Sequence, residues 1–219
     1  MRTLFEQELR DLQRDVFRLG NLVCDTLAEM LTAGYRRDFV AIERLYESDL
    51  QARETRMKLN ERVVRVVATQ NPLAADLRNL FFLTHMADEL LRISAQCSGI
   101  GRLCLKAEEE SPLFEEDVFH MGQRAVAMLD GALGAAIRGD EEILGATIAM
   151  DDEIDIAYEQ ISRECSTRMD ARDCEKTSTV LGAYKLARRM EIIGDSIVNL
   201  CRWWLFFNGC RDSAADIRV

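Results

Sequence analysis

Long stretches of apolar residues with the 3.6-residue period of an α-helix run through most of this chain, and few residues interrupt them. The 219 residues include only two prolines, Pro72 and Pro112, and 48% of all residues are hydrophobic. Leu, Ala, Arg, Glu and Met, which favour helices, are abundant, whereas aromatic residues are few. A chain of this length and apolar content can bury a substantial core. We therefore predict an all-α protein.

The helix breaks divide the chain into six long segments. Pro72 cannot continue the helix before it, and the sequence around Pro112 is typical of a linker. Asp38 and Asp140 each follow a turn and are suited to cap the start of a helix. Long helices joined by short turns pack antiparallel, so three helices in each half predict two three-helix bundles. The predicted helices span about 3–35, 38–69, 74–104, 114–138, 140–171 and 177–207.

The two halves of the sequence also match each other, which indicates an internal duplication. The second predicted helix aligns with the fifth at an offset of 102 residues, which relates Asp49 to Asp151. The third aligns with the sixth at an offset of 100 residues, which relates Leu91 to Glu191. We therefore predict a first repeat over residues 1–107, a second repeat over residues 113–207 and a C-terminal tail over residues 208–219.

Oxygen-bearing side chains recur at four-residue intervals in the fifth and sixth predicted helices. They are Asp151, Asp155 and Glu159 in the fifth helix and Glu191, Asp195 and Asn199 in the sixth. A step of four residues turns a side chain by only about 40° and advances it by about 6 Å, so each set lies along one stripe. Two such helices side by side form a trough of oxygen donors, which suits hard cations. We therefore predict a divalent-metal site at Asp151, Asp155, Glu191, Asp195 and Asn199.

Two other interpretations of these acids stay open from the residues alone. Acids spaced four residues apart are common on solvated helix faces, where they bind nothing. Neighbouring arginines such as Arg188 and Arg189 can also neutralise them without a metal. The pattern around the acids argues against a plain solvated surface. Apolar residues flank both stripes, which places the carboxylates at the margin of a buried face.

The charge and cysteine content exclude several classes of protein. The formal net charge is −10 and no cluster of basic residues stands out, which argues against direct binding of nucleic acid. Charged residues near the start leave no apolar run for a signal peptide, and no stretch approaches the roughly 18 apolar residues of a membrane span. Seven cysteines without a C-x-x-C pair indicate buried thiols in a reducing cytosol. We therefore expect a cytoplasmic protein.

No catalytic motif accompanies the acids. His85 and His120 are the only histidines, and neither belongs to the Glu-x-x-His pair of a di-iron oxidase. The sequence also has no Gly-rich phosphate loop, nucleophile elbow or zincin signature. We therefore expect a non-enzymatic protein. The alternative is a metal-dependent phosphohydrolase or a metal-storage protein that uses the acids, with Tyr158 and Arg188 as the only further candidates for catalysis beside them.

Three segments resemble motifs of the PhoU family of phosphate-signalling regulators, and the resemblance covers nearly the whole chain. They are Arg-Met-Glu191-Ile-Ile-Gly-Asp195 with Asn199, similar to E-R-I-G-D-x-x-x-N; Met-Asp151-Asp-Glu-Ile-Asp155, similar to D-x-x-x-D; and Gln70-Asn-Pro-Leu-Ala-Ala-Asp-Leu-Arg78, similar to Q-P-x-A-x-D-L-R. The resemblance implies two related three-helix bundles, homodimerisation, and negative regulation of phosphate uptake and of phosphate-starvation signalling. The implied partners are a phosphate ABC transporter and a sensor histidine kinase.

The first repeat departs from the family pattern at the acids. Leu91 and Ala95 stand where the family has Glu and Asp in its third helix, and Arg53 stands at the position that corresponds to Asp155. Asp49 remains, but a guanidinium beside it opposes a cation. Some members of the family bind iron or other metals on their paired acidic motifs. The resemblance therefore implies a site for Fe, Mn, Mg or Zn in the second repeat only.

Overall fold

The computed structural model describes residues 2–106, 116–170 and 177–215, and the regular structure within these ranges is entirely helical. The helices are α1 (Arg2–Arg36), α2 (Phe39–Gln70), α3 (Ala74–Lys106), α4 (Glu116–Arg138), α5 (Glu141–Ala149), α6 (Asp151–Asp170) and α7 (Thr177–Ala215). The predicted all-α class is confirmed, although α7 continues past the predicted helix end at residue 207. The predicted linker around Pro112 lies outside the described residues. Within those residues no helix is both long enough and apolar enough to span a membrane.

The turns that open α2 and α5 are built alike, as the duplication predicts. Asp38 Oδ1 accepts a hydrogen bond from the backbone amide three residues ahead at 3.0 Å, and Asp140 Oδ1 does the same at 3.1 Å. Such bonds satisfy amides that have no acceptor inside the helix. Each aspartate follows a residue in the left-handed region, Arg37 at φ 59° and Gly139 at φ 74°. Glycine adopts this conformation without strain, so the second copy of the turn is the less strained.

The fifth predicted helix, at about 140–171, is interrupted at Met150. The amide of Met150 still donates to Ala146 O at 3.1 Å, but the amide of Glu153 donates to Met150 O at 3.2 Å, an i to i+3 bond that tightens the backbone. A new helix start at Asp151 places Asp151, Asp152 and Glu153 in the first turn of α6, where the helix dipole favours negative charge. The corresponding helix α2 has no such interruption.

Two three-helix bundles make up the fold, and one hydrophobic core runs through both. Helices α1, α2 and α3 pack on one another in the first bundle, and α4, α5 with α6, and α7 do so in the second. The bundles join where α1 contacts α4 and where α3 contacts α7. The predicted pair of repeated bundles is confirmed.

Reciprocal contacts of glycine with leucine show how the two repeats face each other. A Cβ atom at Gly20 on α1 would lie 2.6 Å from Leu133 on α4, and a Cβ atom at Gly122 on α4 would lie 2.5 Å from Leu31 on α1. Both the glycines and the leucines are 102 residues apart, the offset that relates the repeats. An exchange of this kind is what an approximate twofold axis between two equal units produces.

Buried cysteines belong to this core. Cys97, Cys104, Cys165 and Cys201 are buried, Cys24 is half-buried, and all five have free thiols. Burial raises the pKa of the Cys97 and Cys201 thiols to about 12. These side chains therefore act as small apolar groups, as the sequence predicts.

Candidate functional site

Four carboxylates meet along the contact between α6 and α7. Asp151 and Asp155 lie one turn apart on α6, and Glu191 and Asp195 lie one turn apart on α7. We call these four residues the acidic cluster. The pKa of Asp151 rises from 3.8 to about 6, chiefly because of burial and then because of repulsion by Asp155, Asp195, Glu191 and the neighbouring Asp152. The structure thus places four of the five residues that the sequence predicts as metal ligands within electrostatic reach of one another, but not within coordination distance of a common ion.

Gly194 makes room for the carboxylate of Asp151. A Cβ atom at this position would overlap Asp151 Oδ1 and would lie 3.4 Å from Cδ1 of the buried Ile154. Among the described residues Asp151 Oδ1 is buried without a hydrogen-bond partner. A buried carboxylate oxygen without a partner is costly, and a bound cation would satisfy it.

Arg188 provides a counter-charge for one member of the cluster. Its Nη1 pairs with Glu191 Oε1, and its guanidinium carbon lies 5.7 Å from the centre of the Tyr158 ring. Burial raises the pKa of Glu191, and the attraction of Arg188 offsets only part of that rise. The second oxygen, Glu191 Oε2, is buried with no hydrogen-bond partner in the part of the chain that is described. Arg188 therefore neutralises the cluster only in part.

Arg189, the second arginine considered from the sequence, reaches toward the first bundle. Its Nη1 donates to Gln96 Oε1 on α3 at 2.8 Å, and its guanidinium covers Gly99, where any Cβ atom would overlap it. Successive residues on a helix point about 100° apart, so neighbouring arginines meet different helices. Arg188 serves the cluster, while Arg189 joins α7 to α3.

Asn199, the fifth predicted ligand, takes part in a matching contact between the bundles. Burial raises the pKa of Glu89 on α3, and hydrogen bonds from Ser196 and Asn199 oppose that rise. Glu89 corresponds to Arg189 and Gly99 to Asn199 at the offset of 100, so the two contacts are reciprocal. Sequence reasoning missed Glu89. Its alignment with Arg189 was the available signal.

The corresponding position in the first bundle is closed by hydrogen bonds. Asp49 Oδ2 accepts from Arg53 Nε at 2.9 Å, and Asp49 Oδ1 accepts from the Ser94 hydroxyl at 3.0 Å. Ser94 corresponds to Gly194 at the offset of 100, so the first bundle has a hydroxyl where the second has only space. Both oxygens of Asp49 are therefore satisfied within the chain.

The acidic cluster suits a divalent cation in its donor chemistry. Carboxylate oxygens are the ligands that hard divalent ions prefer, and two of those in the cluster are buried without a partner among the described residues. As placed, no three Asp, Glu, His or Cys side chains in the described ranges lie close enough together to hold an ion. Coordination therefore requires side-chain rotation, which is easiest for the exposed Asp155 and Asp195.

Comparison with known sequences finds the same domain in both halves of the chain. The profile of the PhoU domain matches it twice, over residues 16–104 and 118–204. The phosphate-specific transport system accessory protein PhoU of Serratia marcescens is 30% identical over 205 residues, which cover 93% of this chain and 84% of that protein. Its counterpart from Escherichia coli (strain K12) is 28% identical over the same shares.

Solved structures show a similar architecture. The crystal structure of PhoU from Pseudomonas aeruginosa matches with a TM-score of 0.88 at 27% identity, covering 94% of this chain and 99% of that one. The crystal structure of the phosphate transport system regulatory protein PhoU from Streptococcus pneumoniae shares the fold, with a TM-score of 0.85 at 23% identity over 93% of this chain and 96% of that one.

Proposed function

Because the chain belongs to the PhoU family, we propose that it is an accessory protein of phosphate transport that represses phosphate uptake and phosphate-starvation signalling when phosphate is abundant. The observation that carries this proposal is the double match to the PhoU domain. The matches together span most of both bundles, and relatives named as accessory proteins of phosphate transport align over 93% of the chain.

We propose that the protein acts by binding other proteins in the cytoplasm and not by catalysis. A phosphate ABC transporter and a sensor histidine kinase are the proposed partners, and a homodimer is the proposed assembly. Two residues beside the cluster were candidates for catalysis, and both are engaged. The Tyr158 hydroxyl lies 3.2 Å from the Tyr184 hydroxyl, a hydrogen bond that raises its pKa, and Arg188 pairs with Glu191. A tyrosine with a raised pKa is less often deprotonated at neutral pH and is therefore less available as a general base.

A divalent cation in the second bundle is part of the same proposal. Asp151, Asp155, Glu191 and Asp195 would hold Fe, Mn, Mg or Zn, with Asn199 at the edge of the cluster. The bound ion would offset two of the four carboxylate charges, and the weaker repulsion would stiffen the contact between α6 and α7. In the first bundle Arg53 already neutralises Asp49, so we propose one site per chain.

Deletion of the gene tests the regulatory role. In phosphate-rich medium the deletion strain is expected to take up more phosphate and to produce more alkaline phosphatase than its parent, and re-expression is expected to restore repression. Capture of the tagged protein should recover the transporter subunits and the sensor kinase. Unchanged phosphate uptake and phosphatase production in the deletion strain would contradict the proposal.

A metal-dependent phosphohydrolase remains the alternative that the acidic cluster itself suggests. Purified protein assayed with phosphomonoesters in the presence of Mn²⁺ or Fe²⁺ separates the two functions. We expect no turnover above the background of an Asp155→Ala variant. Turnover that this substitution abolishes would establish the enzyme instead.

A further inference from the structure

A cleft of about 290 Å³ opens where α1, α3, α4 and α7 meet, at one end of the contact between the two bundles. This volume is about twice that of a buried cavity that binds benzene. Arg138, at the end of α4, is the one charged residue among the described residues that line it. Aromatic side chains supply much of the wall, and we call the site the aromatic cleft. They are Phe17, Phe82, Trp204 and Phe207.

A tyrosine fills the corresponding position at the other end of this contact. At the offset of 102, Phe119 corresponds to Phe17 and Tyr35 corresponds to Ile137. The rings of Tyr35 and Phe119 stack with their centroids 4.3 Å apart. Ile137 has no ring to lay over Phe17, and 63% of this isoleucine is exposed. The aromatic cleft is therefore the counterpart of a position that a tyrosine side chain covers in the other half.

The wall of the aromatic cleft also differs from its counterpart. At the offset of 100, Phe82 on α3 corresponds to Gly182, and Trp204 on α7 corresponds to Cys104. The rings of Phe82 and Phe207 lie with their centroids 5.1 Å apart across the α3–α7 contact. Rings in a wall of this kind attract a further ring through face and edge contacts. The aromatic wall is therefore particular to one end of the molecule.

Exposed aromatic side chains continue from the cleft onto the surface. Phe206 packs edge-on against Phe207 with the centroids 5.5 Å apart and is 59% exposed, and Phe81 on α3 is 55% exposed. Trp203 stacks on His85 with the centroids 4.3 Å apart. Aromatic residues are enriched at protein–protein interfaces, and exposed apolar patches mark such sites. A concave cleft with an aromatic margin fits an inserted side chain better than it fits the flat surface of a bilayer.

Arg138 determines the charge that the cleft favours in a ligand. Its guanidinium lies over Gly134, where a Cβ atom would be 3.2 Å from Arg138 Nη1. It forms no ion pair with a carboxylate in the part of the chain that the structure describes. The next acid along the chain, Asp140, accepts from an amide of α5 instead. An arginine without a carboxylate partner, on a chain whose net charge is −10, favours an anionic group at this cleft.

We propose that the aromatic cleft receives an aromatic side chain from an acidic segment of a partner protein. The ring would lie over Phe17 as Tyr35 lies over Phe119, and a carboxylate beside it would pair with Arg138. A buried aromatic side chain is a common anchor of protein interfaces. The choice of a protein as the source of the ring rests on the proposed function, in which the chain acts by binding other proteins.

Fluorescence titration of the purified full-length protein tests this proposal. Trp203 and Trp204 are the only tryptophans of the chain, and Trp204 lines the cleft, so tryptophan emission reports occupation of the cleft. The probe is a capped pentapeptide with phenylalanine between two pairs of acidic residues. Two control peptides replace the phenylalanine by alanine or the four acids by lysines. A further probe, 3-phenylpropionate, represents a small aromatic acid.

The variants exchange corresponding residues of the two halves. Ile137→Tyr supplies the ring that Tyr35 supplies in the other half, and it changes an exposed position. Tyr35→Ile is the reverse exchange and serves as its control. Arg138→Gln tests the charge, and Arg36→Gln is its control at the offset of 102. Thermal melts by circular dichroism verify that each variant is folded, and light scattering gives its oligomeric state.

The wild type and the two controls are expected to bind the acidic phenylalanine peptide saturably and with equal affinity. Ile137→Tyr should bind it about tenfold or more weakly, because the position of the ring is filled and burial of the phenylalanine is lost. Arg138→Gln should bind it about threefold to fivefold more weakly, the range of an exposed ion pair. Absence of saturable binding, unchanged affinity in Ile137→Tyr, or equal binding of either control peptide overturns the proposal.

Three further results would assign the cleft to another occupant and would also overturn the proposal. Tighter binding of 3-phenylpropionate than of the peptide assigns a small aromatic acid. A change of oligomeric state in Ile137→Tyr assigns a second copy of the chain. Binding to phosphatidylcholine–phosphatidylglycerol vesicles that Ile137→Tyr abolishes assigns a membrane. Because these measurements use purified protein, their failure leaves the deletion phenotype standing, and an unchanged deletion phenotype leaves the affinity of the cleft standing.

Discussion

The two bundles share a backbone architecture but differ in the charges at the contact between corresponding helices. Asp49 and Asp151 occupy corresponding positions at the start of the contact with the last helix of each bundle. Asp49 accepts hydrogen bonds on both oxygens, from Arg53 and Ser94. Asp151 is surrounded by other carboxylates, and within the described residues its Oδ1 has no partner. One copy has an internally satisfied ion pair, and the other keeps an excess of negative charge.

A second pair of corresponding positions differs in the same manner. In the first bundle Arg56 Nε donates to Asp88 at 2.6 Å, and in the second Arg188 lies over the ring of Tyr158. The offsets of 102 and 100 relate Arg56 to Tyr158 and Asp88 to Arg188. The same helices are in contact in both bundles, but an arginine–carboxylate pair in one is replaced by an arginine–aromatic contact in the other. Apolar packing thus fixes the fold in both copies, and a few side chains at the edge of the core decide what each copy can bind.

The largest effects should be equal in the two halves, because the core is shared. Leu90 and Met190 correspond at the offset of 100 and are both fully buried. Truncation of either to alanine should cost about 2–5 kcal/mol of the free energy of unfolding through lost burial and a residual cavity. Urea unfolding should show a single transition for each variant, with costs that differ by about 1 kcal/mol or less. Two separated transitions would show that the bundles unfold independently and that the core is not shared.

The next largest effect is the response to added Mn²⁺, which should depend on residues of the second repeat and not on those of the first. An ion that binds only the folded protein stabilises it by about 2.7 kcal/mol at a hundredfold excess over Kd. We expect the melting temperature of chelator-treated protein to rise across a Mn²⁺ titration. Asp155→Ala and Asp195→Ala should abolish the rise, whereas Asp49→Ala should lower the starting stability and leave the rise intact. If the melting temperature still rises in Asp195→Ala, or does not rise in the wild type, the acidic cluster is not a metal site.

The same substitution should have opposite signs at the two corresponding aspartates. Asp49→Asn weakens the bonds with Arg53 and Ser94 and should cost about 1–2 kcal/mol. Asp151→Asn removes a repelled carboxylate and should stabilise the metal-free protein at pH 7 by about 1 kcal/mol, a figure reduced for the partial exposure of the site. Denaturant melts of both variants with a chelator present measure the two signs. Destabilisation by Asp151→Asn at pH 7 would mean that an unseen favourable contact holds this carboxylate.

The pH dependence of the Asp151 effect follows from the direction of its shift. The folded pKa, about 6, lies above the unfolded value of 3.8, so the folded state holds the proton more tightly. Stability therefore falls as pH rises from about 4 to about 6, and the full penalty is present above that range. The gain from Asp151→Asn should be present at pH 7 and absent near pH 3.8. A gain of equal size at both pH values would show that charge repulsion is not its cause.

The sequence was sufficient for the fold and for the two stripes of acids along α6 and α7, but not for the hydrogen-bond and ion-pair partners of those acids. The offsets correctly paired Asp49 with Asp151, because apolar periodicity and caps repeat in both halves. The break at Met150 was missed since no proline or glycine marks it and the apolar pattern continues through it. A helical period gives the angle of a side chain but not the helix it meets. Arg188 and Arg189 were therefore indistinguishable from sequence, although Arg189 reaches Gln96 on α3 while Arg188 pairs with Glu191 on its own helix.

The smallest effect bears on the choice between arginine and metal as the partner of the cluster. Arg188 pairs with Glu191 and opposes the rise that burial causes in the pKa of this carboxyl, so it competes with a cation for the same carboxylate. If a metal displaces this pairing, Arg188→Gln should tighten Mn²⁺ binding about threefold to tenfold, the range expected for loss of a partly exposed ion pair.

Arg189→Gln is the matched control and should leave the affinity unchanged, because Arg189 reaches Gln96 on the other bundle. The comparison is decisive because both substitutions remove one charge from adjacent positions of the same helix. Weaker Mn²⁺ binding in Arg188→Gln would mean that Arg188 holds Glu191 in the binding orientation, and the arginine would then belong to the site as a positioning residue rather than as a rival of the metal.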